Sequence, residues 1–146
     1  MIESLMNLDS NILLFLQECV RNPILNALLI PFTLSNNSGI LCFVIIALFL
    51  YFNKLRKVGI LMTISLILEF VVTNLIIKNW VARIRPYEVI DGLTLLVGKA
   101  NDLSFPSGHT GSAFALAVVV FMVMERKYGI IALVLASLMG FSRLYV

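Results

Sequence analysis

Long apolar blocks, separated by short polar segments, dominate this chain. Residues 58–77 form the clearest block, and a helix of this length, at about 1.5 Å per residue, crosses a hydrocarbon core of roughly 30 Å. Three shorter blocks, 39–52, 110–124 and 128–142, are flanked by polar residues that can lie in the membrane interface. The pattern therefore predicts four membrane-spanning helices.

The segments between the blocks differ in length and charge. Residues 53–57 and 125–127 are tight turns that each carry at least two basic side chains, whereas residues 78–109 form a long polar stretch with several prolines and glycines. Strict alternation places the two turns on one side of the membrane, and the positive-inside rule makes that side cytoplasmic. We therefore expect the long loop to face outward.

The first 38 residues leave two alternatives open. They are apolar overall, but Glu18, Arg21, Pro23 and Pro31 interrupt them. A kinked first span and two short helices lying in the interface both fit this pattern.

Composition supports a membrane protein with a single domain, residues 1–146. Of the 146 residues, 60% are hydrophobic and only 13% are charged, and the mean hydropathy is +1.01. Soluble domains are less apolar and carry about twice this share of charge. The net charge of +3 does not indicate nucleic acid, because the cations lie at the ends of apolar blocks. Cys19 and Cys42 belong to no ligand-spaced cluster, so neither a metal nor a redox role is expected.

A pair of cations follows the block 58–77. Lys78 and Arg85 are seven residues apart, so they share one face if the helix continues, and Asn74 falls near the same line. Pro86 disfavours helix at Arg85, and Glu69 lies off this face on an α-helical count. Two cations at a membrane boundary suit a phosphate-bearing ligand. The alternative is that they only snorkel to the interface.

A second cluster of polar residues leads directly into the block 110–124. Pro106 and Ser107 are typical of a helix start. The first turn of a helix offers free N–H groups to an anion, and Gly108 allows close approach of that backbone. His109, the only histidine, then stands where it can donate a proton to a leaving oxygen. The alternative is an interfacial histidine without a chemical role.

Arg143 completes the set of candidate residues at the far end of the block 128–142. On the same alternation it emerges on the outer side, together with Lys78, Arg85 and His109. Three cations and a histidine at one membrane face indicate a phosphate site.

These residues resemble the motifs of the type-2 phosphatidic acid phosphatase superfamily, which also includes bacterial undecaprenyl diphosphate phosphatases and the soluble vanadium haloperoxidases. Residues 78–86 match Lys-x6-Arg-Pro, and residues 106–109 match Pro-Ser-Gly-His. Ser142 and Arg143 open the third motif, Ser-Arg-x5-His-x3-Asp. The match covers roughly residues 10–146, and it implies an all-α, polytopic transmembrane helix bundle.

The resemblance also implies a role for each matching residue. Three cations would clamp the phosphate oxygens, namely Lys78, Arg85 and Arg143. Ser107 and the backbone of Gly108 would add hydrogen bonds, and His109 would protonate the leaving group. Arginine and lysine would supply the charge stabilisation that a metal otherwise gives, so the resemblance implies no metal and no other cofactor.

The chain departs from the family in the third motif. The family nucleophile, a histidine that forms a phosphohistidine, is expected six residues after Arg143, but the sequence ends at Val146. We expect a truncated form of a longer protein that lacks this histidine, the orienting aspartate and the last helix of the family, and is inactive by itself.

The sequence thus predicts a membrane lipid phosphatase whose site faces outward, in a bacterial cytoplasmic membrane. Its expected partners are membrane lipids and a lipid phosphate substrate, with an isoprenyl diphosphate such as undecaprenyl diphosphate first. Phosphatidic acid and phosphatidylglycerol phosphate are the alternatives. A non-catalytic protein that binds lipid phosphates is the rival function, whereas the apolar blocks argue against a soluble haloperoxidase-like enzyme.

Overall fold

The computed structural model describes residues 2–99 and 102–146, with the side chains of all of these except 2–7 and 38. The described residues form helices and connecting loops, without a strand, which confirms the all-α fold class. The α-helices are α1 Ile2–Phe15, α2 Pro23–Ser35, α3 Ile40–Tyr51, α4 Arg56–Phe70, α5 Lys78–Val81, α6 Pro86–Val89, α7 Gly108–Val123 and α8 Arg126–Tyr145. Two π-helical segments, Leu16–Val20 and Val71–Ile77, and a 3-10 turn, Asn37–Gly39, lie between them.

Two helical segments are long and apolar enough to cross a membrane, Arg56–Val89 and Arg126–Tyr145. The helices α2 and α3 together form a third candidate, which is bent by 63°. Helix α7 is apolar but shorter, at 16 residues. The helices α3, α4, α7 and α8 lie over the four blocks picked out in the sequence. The chain is an integral membrane protein.

The first 38 residues form α1 and α2 with a break between them. Asn22 caps α2, because its Oδ1 accepts a hydrogen bond from the backbone N–H of Leu25 at 2.9 Å, and Pro23 takes the first helical position. Pro31 lies inside α2 and does not end it. Whether these helices span the membrane or lie in its interface stays a prediction.

The hydrophobic core lies between α3, α4 and α7. Its buried side chains are Cys42, Ile46, Val58, Met62, Leu116 and Val120. Many apolar side chains outside this core are exposed, as the lipid-facing surface of a membrane bundle requires.

Small residues allow the helices to approach closely. A Cβ atom at Gly129 of α8 would lie 2.5 Å from the Cα of Phe121 in α7. A Cβ atom at Gly59 of α4 would lie 2.9 Å from the backbone nitrogen of Leu50 in α3. Because membrane helices associate through steric packing, these two glycines set the distances between neighbouring helices.

Candidate active site

The first motif does not form a continuous helical face. Helix α5 ends at Val81, and Ala82 has a left-handed backbone conformation with φ of 46°. Arg85 is extended, with φ of −70° and ψ of 136°, as the following Pro86 favours. The sequence predicted a shared helix face for Lys78 and Arg85 only if the helix continued to Arg85. The helix does not continue, so the two residues do not share a face. They come together because the chain leaves the helix and turns back.

Asp102 joins the two cations of this motif. Its Oδ2 accepts a hydrogen bond from Nζ of Lys78, and its Oδ1 accepts one from Nη2 of Arg85. The backbone carbonyl of Asp102 also accepts a hydrogen bond from Nε of Arg85 at 2.8 Å. One residue of the long loop thus holds both side chains that the sequence assigned to a phosphate.

The electrostatics of Asp102 follow from these contacts. Partial burial raises the pKa of its carboxyl, but the hydrogen bonds and positive charges of Lys78 and Arg85 outweigh burial and leave this pKa below its usual value. The carboxylate is therefore ionised throughout the physiological pH range.

The second motif begins α7. Ser107 is its N-cap residue, and its Oγ accepts hydrogen bonds from the backbone N–H of Thr110 at 3.4 Å and from the hydroxyl of Thr110 at 3.2 Å. Both contacts use Ser107 as an acceptor, so its own hydroxyl proton is left for an anion. At Gly108 a Cβ atom would meet only Asn74 Oδ1, at 3.9 Å, so the first backbone N–H groups of α7 lie beside open space.

His109 is partly buried in the first turn of α7. Its backbone carbonyl accepts a hydrogen bond from Ser112 Oγ at 3.2 Å. Its Nε2 atom is buried and has no hydrogen-bond partner among the described residues. The charged side chains within electrostatic range of its imidazole are Lys78, Arg85, Asp102 and Arg143.

Arg143 reaches this cluster from the last turn of α8. Its Nη1 donates a hydrogen bond to Oγ1 of Thr33 at 3.1 Å, and Thr33 is fully buried in α2. Arg143 also lies within electrostatic range of Arg85 and Asp102. The structure thus brings α2 and α8 to the same place as the first two motifs.

A π-helical segment changes which side chains of the long helix face α7. On an α-helical count, Glu69 and Asn74 lie about 140° apart around the axis. The π-helix Val71–Ile77 begins directly after α4 and alters this phase, and both side chains line one cavity with His109. The separation of Glu69 from Asn74 expected on an α-helical count is therefore not observed. Gly111 of α7 makes room for the Glu69 carboxylate, since any side chain there would collide with it.

Two cavities flank the cluster and differ in character. The first, the polar cavity, has a volume of about 570 Å³ and is lined by five charged side chains, including Lys78, Arg85 and Asp102. The second, of about 490 Å³, is mostly apolar, and its lining includes Phe43, Phe70 and His109. The cluster thus offers one surface suited to a polar headgroup and another, lined by His109, suited to an apolar chain.

Sequence reasoning missed Asp102, Thr33 and Asn36. Asn36 is buried and donates hydrogen bonds to Ser112 Oγ at 3.2 Å and to the carbonyl of His109 at 3.5 Å. Neither Thr33 nor Asn36 belongs to any motif. The long loop carries other acids, Glu88 and Asp91, so no sequence signal singled out Asp102.

Comparison with known proteins agrees with this site. The model of the PAP2 superfamily matches residues 58–146, which contain every candidate residue named from the motifs. The chain belongs to the PAP2 superfamily, which confirms the resemblance seen in the motifs.

A curated relative gives the second comparison. The undecaprenyl-diphosphatase of Sulfolobus acidocaldarius is 33% identical over 100 residues, which are 68% of this chain and 48% of the relative. The chain thus spans about half the length of that relative. No solved structure matches the chain.

Proposed function

We propose that this chain carries the phosphate-binding part of an integral membrane lipid phosphatase, which hydrolyses a lipid phosphomonoester or an isoprenyl diphosphate. The observation that carries the proposal is the convergence of Lys78 and Arg85 on a single anion, the carboxylate of Asp102, beside His109 and Arg143. A site that already holds one oxyanion between two cations suits a phosphate.

The proposed roles follow the motifs. Lys78, Arg85 and Arg143 bind the phosphate oxygens, and the hydroxyl of Ser107 and the N–H of Gly108 donate further hydrogen bonds. A nucleophilic histidine, expected six residues after Arg143, attacks phosphorus. A nitrogen–phosphorus bond forms while the bond from that phosphorus to the leaving oxygen breaks, and His109 gives this oxygen a proton. The leaving oxygen belongs to the lipid alcohol of a phosphomonoester or to the lipid monophosphate of a diphosphate. Water then hydrolyses the phosphohistidine and releases inorganic phosphate.

The two flanking cavities support a lipid as the substrate. The phosphate would lie on the polar side with Lys78 and Arg85, and the hydrocarbon chain would lie along the apolar cavity that His109 also lines. His109 lines the apolar cavity and lies within electrostatic range of Lys78 and Arg85, which suits an acid that protonates the oxygen leaving with the lipid.

A diphosphate is our first choice among the lipid phosphates. Three arginines, Arg21, Arg85 and Arg143, line a small cavity of about 90 Å³ next to the site. Such a cavity suits a second phosphate group, and the relative described above is named as an undecaprenyl-diphosphatase. Phosphatidic acid and phosphatidylglycerol phosphate are the alternatives. We further propose that the site faces the outer side of a bacterial cytoplasmic membrane.

Phosphate release tests this proposal directly. The substrates are a short-chain phosphatidic acid and a short-chain isoprenyl diphosphate, in detergent with a chelator present. The 146-residue chain is compared with a version that continues through the downstream codons. We expect release only from the longer version, and we expect His109→Ala to abolish it. A lack of release from both versions would contradict the enzyme proposal.

A second function, the binding of lipid phosphates without hydrolysis, is favoured by one observation. Lys78, Arg85 and Arg143 lie within electrostatic range of His109, and three cations gathered in this way suffice to bind a phosphate without hydrolysing it. Binding of both test lipids without release from either version would support this second function.

A further inference from the structure

Asp102 occupies the place at which the proposed substrate phosphate binds. Both oxygens of its carboxylate are used, one by Lys78 and the other by Arg85, and its backbone carbonyl fixes the same guanidinium. Two of the three cations proposed to hold the phosphate therefore already hold an anion that belongs to the protein.

The exposed fractions of the side chains of Lys78, Arg85 and Asp102 show which of these groups a ligand can reach. The side chains of Lys78 and Arg85 are 11% and 19% exposed, whereas that of Asp102 is 57% exposed. The two cations are thus set more deeply into the protein than the carboxylate, and all three groups line the polar cavity. Because the carboxylate of Asp102 is the most exposed of the three groups, a ligand that enters this cavity reaches it directly.

The charge of an incoming ligand decides whether it can replace this carboxylate. Asp102 is ionised at neutral pH, because the two cations hold the pKa of its carboxyl below the usual value, and it carries one negative charge. A phosphodiester headgroup, which most membrane phospholipids carry, also has one negative charge and gains little by the exchange. A terminal phosphate carries about 1.5 to 2 negative charges at pH 7 and gains more from the same cations.

We propose that Asp102 is a specificity-determining residue. Its carboxylate acts as an internal ligand of Lys78 and Arg85 that phosphodiester lipids do not displace and that terminal phosphates do. This inference rests on the function proposed above. It accounts for how a cationic site at the membrane surface stays available to a scarce lipid phosphate among abundant phospholipids.

The test compares the affinities of two lipids for the wild-type chain and for Asp102→Asn. The lipids are dihexanoyl phosphatidic acid, a phosphomonoester, and dihexanoyl phosphatidylglycerol, a phosphodiester. The imidazole NMR signals of His109 report binding, because it is the only histidine in a chain prepared without a histidine tag. The exposed Asp91, changed to asparagine, is the matched control for net charge.

We expect Asp102→Asn to raise the affinity for the phosphodiester by roughly tenfold and that for the phosphomonoester by less, so that the preference for the phosphomonoester falls. Asp91→Asn should leave this preference unchanged. Asp102→Ser provides a second variant that also removes the charge, and it should behave like Asp102→Asn.

Three results would overturn the inference, and they differ in what else they affect. An unchanged preference in both Asp102 variants, with normal binding by the wild type, would reject the role of Asp102 alone. A loss of affinity for both lipids in folded variants would show that Asp102 positions the cations. Failure of the wild type to bind the phosphomonoester would reject the phosphate site itself, and with it the proposed function.

Discussion

The core between α3, α4 and α7 and the charged cluster at the start of α7 are held together in different ways. In the core, apolar side chains pack around Met62, and Gly59 and Gly129 allow neighbouring backbones to touch. In the cluster, helix ends and the long loop meet through hydrogen bonds and ion pairs, and Asp102 accepts three of these hydrogen bonds.

This difference separates the parts of the molecule that resist change from those that accept a ligand. Steric contacts between helices have no replacement from the surrounding lipid, so the core keeps one arrangement. The contacts of Asp102 are those that another anion could make with the same cations, and the proposed exchange of Asp102 for a phosphate depends on this. Substitutions in the two regions should therefore affect different measurements.

The largest effect is expected from Arg85→Ala. This change removes a guanidinium that can donate charge-assisted hydrogen bonds to phosphate oxygens. The affinity for a short-chain phosphomonoester should therefore fall about a hundredfold. Isothermal titration in detergent measures it. The matched control is Arg126→Ala, at an exposed position of the basic turn, which should leave the affinity unchanged. An equal loss in both variants would mean that the binding is not local to the cluster.

The second prediction concerns the core, where a substitution should change stability and not affinity. Gly129→Ala should lower the free energy of unfolding by about 1–3 kcal/mol, because the new Cβ atom would overlap Phe121, although alanine favours helix more than glycine does. Unfolding in a titration with denaturing detergent measures it. Gly98→Ala is the control, since a Cβ atom there meets nothing within 4 Å. Equal stabilities of the two variants would contradict the packing argument.

The third prediction concerns Thr33, a buried residue of α2 that accepts a hydrogen bond from Arg143 of the cluster. Thr33→Val keeps the shape of this buried side chain and removes the acceptor of the Arg143 hydrogen bond, so stability should fall by about 1 kcal/mol. The affinity for the phosphomonoester should also fall, because Arg143 loses its fixed position. Thr63→Val is the matched control, as that hydroxyl only bonds to the carbonyl of Gly59 in its own helix. Loss of stability without any loss of affinity would place Arg143 outside the phosphate site.

The smallest effect is a pH dependence of stability. The folded state lowers the pKa of Asp102, so its ionised form stabilises the fold above the pKa of the unfolded chain, and this contribution is lost as the pH falls through the folded pKa. The wild type should therefore melt about 2 °C above Asp102→Asn at pH 7 in the absence of ligand, and the two should converge as the pH is lowered to 3. Melting curves across this range provide the test, and a constant difference would contradict it.

Local sequence determined the helices and the residues of the motifs. The apolar blocks are long enough that only helices satisfy their backbone groups in a membrane, so the positions of α4 and α8 could be predicted. The cap at Ser107 and the extended conformation of Arg85 before Pro86 also follow from the properties of single residues. The motif residues Lys78, Arg85, His109 and Arg143 were named in the same way, and their roles remain proposals.

Tertiary structure alone decided which side chains meet. The π-helix Val71–Ile77 brings Glu69 and Asn74 to one cavity. No residue type in that segment predicts a π-helix in place of an α-helix. Lys78 and Arg85 converge through the left-handed turn at Ala82, whereas the sequence suggested a shared helix face.

Asp102 is the clearest case. Glu88, Asp91 and Asp102 are equivalent acids of one loop in the sequence, and the path of that loop over the helix ends decides that only Asp102 joins both cations. A contact of this kind depends on the positions of residues 17 and 24 places apart along the chain. Local propensities do not contain this information, because ion pairing depends on distance in space and not on distance in sequence.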